Sequence, residues 1–193
     1  MTDIKELFIK NYKLSGTWFY QLSILVCSSE DELPIIDYTN YMWELSNING
    51  PYNETFEPKA INFQETNTGL INIENLTIPF KSMFIQEAND GTNWFDICFY
   101  TSTVEQVLGL KRDSLKKTPS QPKVLVSFFE QTLKDLNKIF PFQLAIVGIE
   151  VGGLYDLDYF KIPVKERMHE LFYTRKEEMK AIHPDNKKYF GVI

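Results

Sequence analysis

A carboxylate stands in the middle of one of the most apolar stretches of this chain. Asp96 lies between Trp94 and Tyr100, in a segment whose residues alternate with the period of two that is typical of a β-strand. Burying a lone carboxylate costs several kcal/mol unless a partner or a hydrogen bond compensates it. One interpretation is a small-ligand pocket lined by Trp94, Asp96 and Tyr100. The other is a carboxylate that solvent or a neighbouring hydrogen bond satisfies.

Three further carboxylates have a spacing that suits a divalent cation. Asp156 and Asp158 would point to the same side of an extended segment, and Glu150 precedes them at the end of an apolar stretch. The Asp-x-Asp pattern is common by chance, and no Lys/Arg clamp or glycine-rich phosphate loop accompanies it. We therefore predict no metal site and no cofactor, and a metal-dependent enzyme is the least favoured function.

Nucleophilic catalysis has few candidate side chains here. The chain contains two histidines, His169 and His183, and two cysteines, Cys27 and Cys98. The histidines fall on or just after the predicted last helix, where an exposed imidazole is ordinary. The cysteines lie in separate apolar segments without metal-ligand or disulfide-like spacing, so we predict two buried free thiols. These side chains favour a protein without catalytic activity, and the sequence leaves a catalytic function open as an alternative.

The charge distribution is the strongest functional signal in the sequence. Residues 14–110 contain thirteen Asp and Glu side chains and two basic ones, Lys59 and Lys81, so this stretch has a net charge of −11. Residues 111–193 carry a net charge of +4 by the same count. Such a one-sided field attracts cationic partners and repels anionic ones before contact. With an isoelectric point near 5.0, it argues against nucleic acid as a partner.

The acids that fall in turns and loops, with two aromatic side chains among them, are the predicted partner-binding residues. We predict a non-catalytic bacterial binding protein whose acidic face engages a basic protein, as an immunity protein or an inhibitor would. The bacterial assignment rests on seventeen lysines against three arginines, a bias typical of AT-rich genomes. The alternatives are the ligand pocket and, less favoured, the metal-dependent enzyme. The predicted contact residues are Glu30, Asp31, Glu32, Tyr52, Glu54, Phe56, Glu57 and Glu65.

Apolar periodicity predicts the elements that position these side chains. Helical spacing occurs near the N-terminus, after Pro34 and over 123–139, and it recurs over 163–182 as a predicted last helix. Residues 102–105 match a capping box and predict the start of a short helix there. Period-two patterns predict a strand over 18–26 and a meander of short strands over 61–100. A continuous apolar run predicts a strand over 142–151.

This order of elements predicts an α+β fold in which a mostly antiparallel sheet is backed by helices. Two ferredoxin-like halves in one globular unit are an arrangement that the order allows. The 193 residues fit a single domain, 1–193, with an acidic half, 1–110, and a mildly basic half, 111–193. Because there is no signal-peptide core and no apolar run of membrane-spanning length, we expect a soluble cytoplasmic protein without a membrane partner. The oligomeric state stays open.

Overall fold

The computed structural model describes residues 3–14, 18–28, 30–86, 91–110, 121–152, 155–165 and 168–193. Four α-helices lie in these ranges: α1 (Ile4–Tyr12), α2 (Leu33–Glu44), α3 (Thr101–Leu108) and α4 (Lys123–Ile139). Eight strands accompany them: β1 (Phe19–Ser28), β2 (Ile48–Asn49), β3 (Asn67–Ile73), β4 (Leu76–Gln86), β5 (Thr92–Tyr100), β6 (Leu144–Ile149), β7 (Leu171–Thr174) and β8 (Phe190–Val192).

These strands form one sheet in the order β2-β3-β4-β5-β1-β6-β7-β8. Neighbouring strands are antiparallel except β7 and β8, which are parallel. The predicted α+β class, with a mostly antiparallel sheet and helices, is confirmed. Strand β1 pairs with β5 on one side and with β6 on the other, so strands from 1–110 and from 111–193 share this sheet.

One face of the sheet packs against α2 and α4. Pro34 lies in the first turn of α2, where its missing N–H and fixed φ suit a helix start. Trp43 of α2 stacks on Phe80 of β4, with ring centroids 5.2 Å apart. Complete burial of a phenylalanine side chain such as Phe80 stabilises the fold by about 1.5–3 kcal/mol. The buried cluster on this face includes Leu22, Ile24, Tyr38, Met42, Phe95, Phe99, Phe129 and Leu136.

The opposite face is covered in part by the chain that follows β6. A second apolar cluster there contains Leu25, Trp94, Leu144, Ile146, Phe160 and Phe172. Phe160 belongs to a 3₁₀ helix, Asp158–Lys161, that packs on this face. Between the apolar residues, the β1–β5 pair places polar side chains opposite one another: Ser23 faces Asp96 and Gln21 faces Cys98. This polar row lies at the centre of the sheet.

The predicted last helix over 163–182 is wrong. The structure has strand β7 in that stretch, followed by a short 3₁₀ helix, Glu178–Lys180, while residues 166–167 lie outside the described residues. Phe172 and Tyr173 are buried in the apolar clusters on opposite faces of the sheet. This is the arrangement of a strand, in which successive side chains point to opposite faces. Strand β6 would otherwise leave its backbone N–H and C=O groups unpaired at this edge. Pairing of Phe172 with Ile146 therefore overrides the helical spacing.

The capping box predicted over 102–105 is also wrong. Helix α3 begins at Thr101, its cap position is Tyr100, and no side chain caps it. The hydroxyl of Thr103 instead donates to Asn11 Oδ1 at 2.6 Å. The Thr103 side chain thus holds α3 against the end of α1.

Candidate functional site

The acidic triplet of residues 30–32 lies in the connection between β1 and α2. Asp31 Oδ1 accepts the first backbone N–H of α2 at 3.1 Å, which helps the helix to start. The carbonyl oxygen of Asp31 accepts hydrogen bonds from Cys27 Sγ (3.0 Å) and Asn93 Nδ2 (3.2 Å). The first two acids are exposed and Glu32 is half-buried. The triplet is therefore fixed at the entrance to α2, with charge facing solvent.

The outer side of α2 continues this acidic surface. Asp37, Asn40 and Glu44 are exposed and follow one another at intervals of three and four residues, which places them on one stripe. Tyr38 and Met42, on the other side, are fully buried. The sequence-based prediction omitted Asp37 and Glu44. The sequence contains a signal for both residues, because polar side chains recur at helical spacing along the outer side of α2.

Glu30, Asp31, Glu32, Asp37 and Glu44, called the acidic α2 surface below, form no ion pair within the described residues. In residues 14–110, the described part of the chain forms a single ion pair, between Glu65 and Lys59 at 3.6 Å. A nearby lysine or arginine would neutralise part of the surface charge. Because no described lysine or arginine forms an ion pair with these five carboxylates, their negative potential reaches into solvent over about 8 Å at physiological ionic strength.

Helix α4 sets one boundary of the acidic α2 surface. Asp135 accepts hydrogen bonds from Lys138 Nζ (2.6 Å) and Gln131 Nε2 (2.8 Å), and these bonds hold its pKa below the ordinary value. On α2, burial and then the adjacent Asp135 raise the pKa of Tyr41 to about 12. Because Lys138 pairs with Asp135, the uncompensated charge ends where the two helices meet.

The predicted aromatic anchors Tyr52 and Phe56 pack against Phe8 of α1 and against each other. Their ring centroids are 4.4 Å apart, and they lie 5.7 Å and 5.0 Å from the centroid of Phe8. Both are half-buried. Phe56 has a φ of 68°, a conformation that costs a non-glycine residue about 1–2 kcal/mol. The two rings stabilise the loop itself, and only their exposed parts are accessible to a partner.

The loop of residues 50–66 forms a second acidic group. Asn53 Oδ1 fixes it by accepting the backbone N–H groups of Thr55 (3.0 Å) and Glu57 (2.9 Å). Glu54, Glu57 and Glu65 are exposed. This loop precedes β3, whereas the triplet follows the central strand β1, and no hydrogen bond or ion pair between described residues joins them. Strands β4 and β5 lie between β3 and β1 in the sheet, so the eight predicted contact residues fall into two groups.

Trp94, Asp96 and Tyr100 lie on one face of β5, as the alternation predicts, and each is at most 5% exposed. Tyr100 Oη donates to the carbonyl oxygen of Leu14 (2.8 Å) and accepts from Lys81 Nζ (2.8 Å). Trp94 packs in the apolar cluster of its face. With this burial, almost none of their surface is open to solvent. A ligand would reach them only if the segments above them moved.

Asp96 is completely buried, and two short hydrogen bonds hold its carboxylate. Gln21 Nε2 donates to Oδ2 and Ser23 Oγ donates to Oδ1, both at 2.6 Å. Both donors come from β1, where Ser23 directly opposes Asp96. Burial raises the pKa of Asp96 from 3.8 to about 6, and the two hydrogen bonds limit the rise. This geometry supports the interpretation of a carboxylate satisfied by its neighbours.

The acids considered for a metal site are engaged separately. Asp156 Oδ1 accepts the N–H of Tyr159 at 2.8 Å, and Asp158 pairs with Lys161 at 2.6 Å. Glu150 is exposed. Across the ranges that the structure describes, no group of three or more His, Cys, Asp and Glu side chains could hold a metal ion.

In the same ranges, no helix has both the length and the apolar character that crossing a membrane requires. The candidate site is defined by its own geometry and charge. No protein-family model, curated protein or solved structure matches this chain.

Proposed function

We propose that this protein binds a basic protein through the acidic α2 surface and acts as a non-catalytic, immunity-like or inhibitor-like protein. The main support is that its five carboxylates lie along one helix and the entrance to it, without an ion-pair partner in the described chain. A basic partner would supply the counter-charges. Complementary charges of this kind speed association and exclude wrong partners.

The helix that carries these acids is held firmly on the sheet. Trp43 Nε1 donates to Ser82 Oγ at 3.0 Å, and Tyr38 Oη donates to the carbonyl oxygen of Phe140 at 2.6 Å. These bonds tie α2 to β4 and to the end of α4. The acidic α2 surface is therefore preorganised, which lowers the ordering cost that a partner would otherwise have to overcome.

The loop of residues 50–66 is a second contact region in this proposal. Glu54 and Glu57 are exposed and form no ion pair within the described residues, and Tyr52 and Phe56 add partly exposed rings. Nucleic acid would be repelled by both groups of acids. The proposed setting is the bacterial cytoplasm, and the two buried free thiols, Cys27 and Cys98, suit a reducing compartment.

Affinity capture from a native lysate of the source cells tests this proposal. The immobilised protein is expected to retain basic polypeptides at about 50 mM salt and to lose them at about 500 mM, because salt screens exposed charges. The variant Glu30→Gln, Asp37→Asn, Glu44→Gln is expected to retain at least about tenfold less, if each charge contributes about 0.5 kcal/mol. Quantitative mass spectrometry of the retained proteins gives the ratio.

The matched control is Glu6→Gln, Glu74→Gln, Glu177→Gln. It changes the net charge by the same amount at exposed positions outside the acidic α2 surface, and circular dichroism checks that both variants are folded. The control is expected to capture as much as the wild type. Equal capture by the two triple variants would contradict the assignment to α2. A wild type that retains no basic protein at low salt would contradict the cationic partner itself.

A further inference from the structure

Hydrogen bonds connect the buried Asp96 to the chain segment that follows β6. Gln21 Oε1 accepts the N–H of Val151 at 3.0 Å, while Gln21 Nε2 donates to Asp96 Oδ2. The bond from Val151 N–H requires the amide oxygen of Gln21 to point toward Val151, so the amide nitrogen points toward Asp96 and donates to it. Oδ2 therefore stays an acceptor. A proton on Asp96 has to lie on Oδ1, where the hydroxyl of Ser23 can turn from donor to acceptor.

Gly152 lies directly over this carboxylate. A Cβ atom at Gly152 would be 2.9 Å from Gln21 Nε2 and 3.2 Å from Asp96 Oδ2, so no larger residue fits without a shift. Two residues earlier, Glu150 has a φ of 52°, which is uncommon outside glycine. Residues 150–152, called the cover segment below, thus close over Asp96 through one hydrogen bond, one tight contact and an unusual backbone conformation.

The strands around Asp96 offer its ionised form no cation among the described residues. On β1 its neighbours are the neutral Gln21 and Ser23. Lys81 of β4 donates to Tyr100 Oη and lies 4.7 Å from the centroid of that ring. Cys98 of β5 is a buried thiol whose pKa is raised by burial and then by the charge of Asp96.

The chain after β6 adds negative charge near this site. Glu150 belongs to the cover segment, and a Cβ atom at Gly148 would contact Glu170 Cγ at 3.1 Å. Gly148 directly opposes Gln21 in the sheet. Neither acid supplies a positive charge that could compensate the burial of an ionised Asp96. A carboxylate in this position is therefore tolerated more easily when it is neutral.

We propose that Asp96 is a proton-binding site that controls how often the cover segment opens. With the proton bound, the segment stays closed over a neutral acid. After ionisation, the carboxylate gains free energy from contact with water, so the segment lifts and the hydrogen bond from Val151 to Gln21 breaks. This inference does not depend on the proposed partner.

The direction of the pH effect follows from the burial of Asp96. In the closed form the pKa is about 6, and in an opened, hydrated form it would approach 3.8. The proton stabilises the closed form fully below about pH 3.8, progressively less between about pH 3.8 and 6, and not at all above. The equilibrium constant for opening is expected to rise on the order of 100-fold across this window.

Thiol labelling of Cys98 measures this opening. Cys98 lies on the same face as Asp96 and directly opposite Gln21, whose side chain lies beneath Gly152. Because Cys98 is 2% exposed, lifting of the cover is expected to open it to a reagent. In a Cys27→Ala background, 4,4′-dithiodipyridine is applied between about pH 4 and pH 7. The labelling rate is divided by that of the same protein with Asp96→Asn, which removes the pH dependence that the two thiols share. The charge of Asp96 raises the pKa of Cys98 and so slows labelling as the pH rises, which works against the expected increase. The ratio is expected to rise on the order of 50-fold from pH 4 to pH 7.

Two further variants keep the outcome decisive. Gly152→Ala is expected to raise labelling at pH 4 towards the wild-type rate at pH 7, because its Cβ atom forces the cover outward. Glu150→Gln, which removes an exposed charge of the cover segment, is expected to leave the pH profile unchanged. The labelling rate should also be insensitive to low urea concentrations, as local opening exposes little surface.

The proposal is overturned by a rate ratio that is flat with pH, or by a profile that Glu150→Gln abolishes. It is also overturned if the labelling rate follows global unfolding in urea, because the thiol would then report the whole fold rather than the cover. A pH-dependent ratio lost only with Asp96, with little urea dependence, supports it.

Discussion

Replacing Asp96 by asparagine is expected to raise the free energy of unfolding at about pH 7.5 by about 3 kcal/mol. A folded-state pKa of about 6, against 3.8 for the free group, means that folding at neutral pH holds an ionised carboxylate in an unfavourable place. Asparagine has nearly the same shape, can accept the hydrogen bond from Gln21 and can donate to Ser23. It therefore resembles the neutral acid at every pH.

The pH dependence provides the sharper part of this test. In the wild type, the stabilisation by the neutral form of Asp96 is complete below about pH 3.8 and is lost as the pH rises to about 6, whereas Asp96→Asn keeps it at every pH. The variant is therefore expected to match the wild type below about pH 3.8 and to be more stable above about pH 6. Urea unfolding followed by tryptophan fluorescence gives the free energies. Asp37→Asn, at an exposed and unpaired position, is the matched control and is expected to change stability by less than about 0.5 kcal/mol. A variant that becomes less stable than the wild type as the pH rises would mean that the site prefers the ionised form, and this would contradict the account.

Replacing Asn93 by alanine is expected to destabilise the fold by about 2–4 kcal/mol. Asn93 is fully buried at the β-bulge of β1, and its Nδ2 donates to the carbonyl oxygens of Ser28 (3.0 Å) and Asp31 (3.2 Å). Alanine would remove both bonds and leave a small cavity. Because Asp31 starts α2, the same change is expected to loosen the entrance to the acidic α2 surface.

Hydrogen exchange of the backbone amides of residues 30–36 measures the loosening at the entrance to α2, and urea unfolding measures the loss of global stability. The control is Asn72→Ala, because the amide of Asn72 is exposed at the β3–β4 turn, where its Oδ1 accepts from Thr77 at 2.7 Å. That change is expected to cost less than about 1 kcal/mol and to leave residues 30–36 protected. Unchanged protection of residues 30–36 in Asn93→Ala would contradict the role of Asn93 at the entrance to α2.

Local patterns in the sequence predict much of what positions the candidate site. Period-two alternation places Trp94, Asp96 and Tyr100 on one face of β5, and the proline at 34 predicts the start of α2. The polar positions of the same helical period also identify Asp37 and Glu44 as exposed residues of α2. These features depend on neighbours within a few residues, so one segment is enough to reveal them.

The features that periodicity could not predict depend on contacts between distant segments. Gln21 lies 75 residues from Asp96 and 130 residues from Val151, so their hydrogen bonds depend on strand order and register. The C-terminal error has a related cause. Residues 171–174 fit a helical stripe and a strand equally well in isolation, and only the open edge of β6 decides between them.

The most direct test of the proposed function is the association rate between this protein and the basic polypeptide that it captures most strongly. We expect this rate to fall more than about tenfold between about 50 mM and 500 mM salt, with a smaller change in dissociation, because steering by exposed charge acts before contact. The variant Glu30→Gln, Asp37→Asn, Glu44→Gln is expected to bring the low-salt rate close to the high-salt one. The control Glu6→Gln, Glu74→Gln, Glu177→Gln should stay near the wild type. An association rate that neither salt nor the α2 variant changes would contradict an acidic α2 surface that attracts a cationic partner.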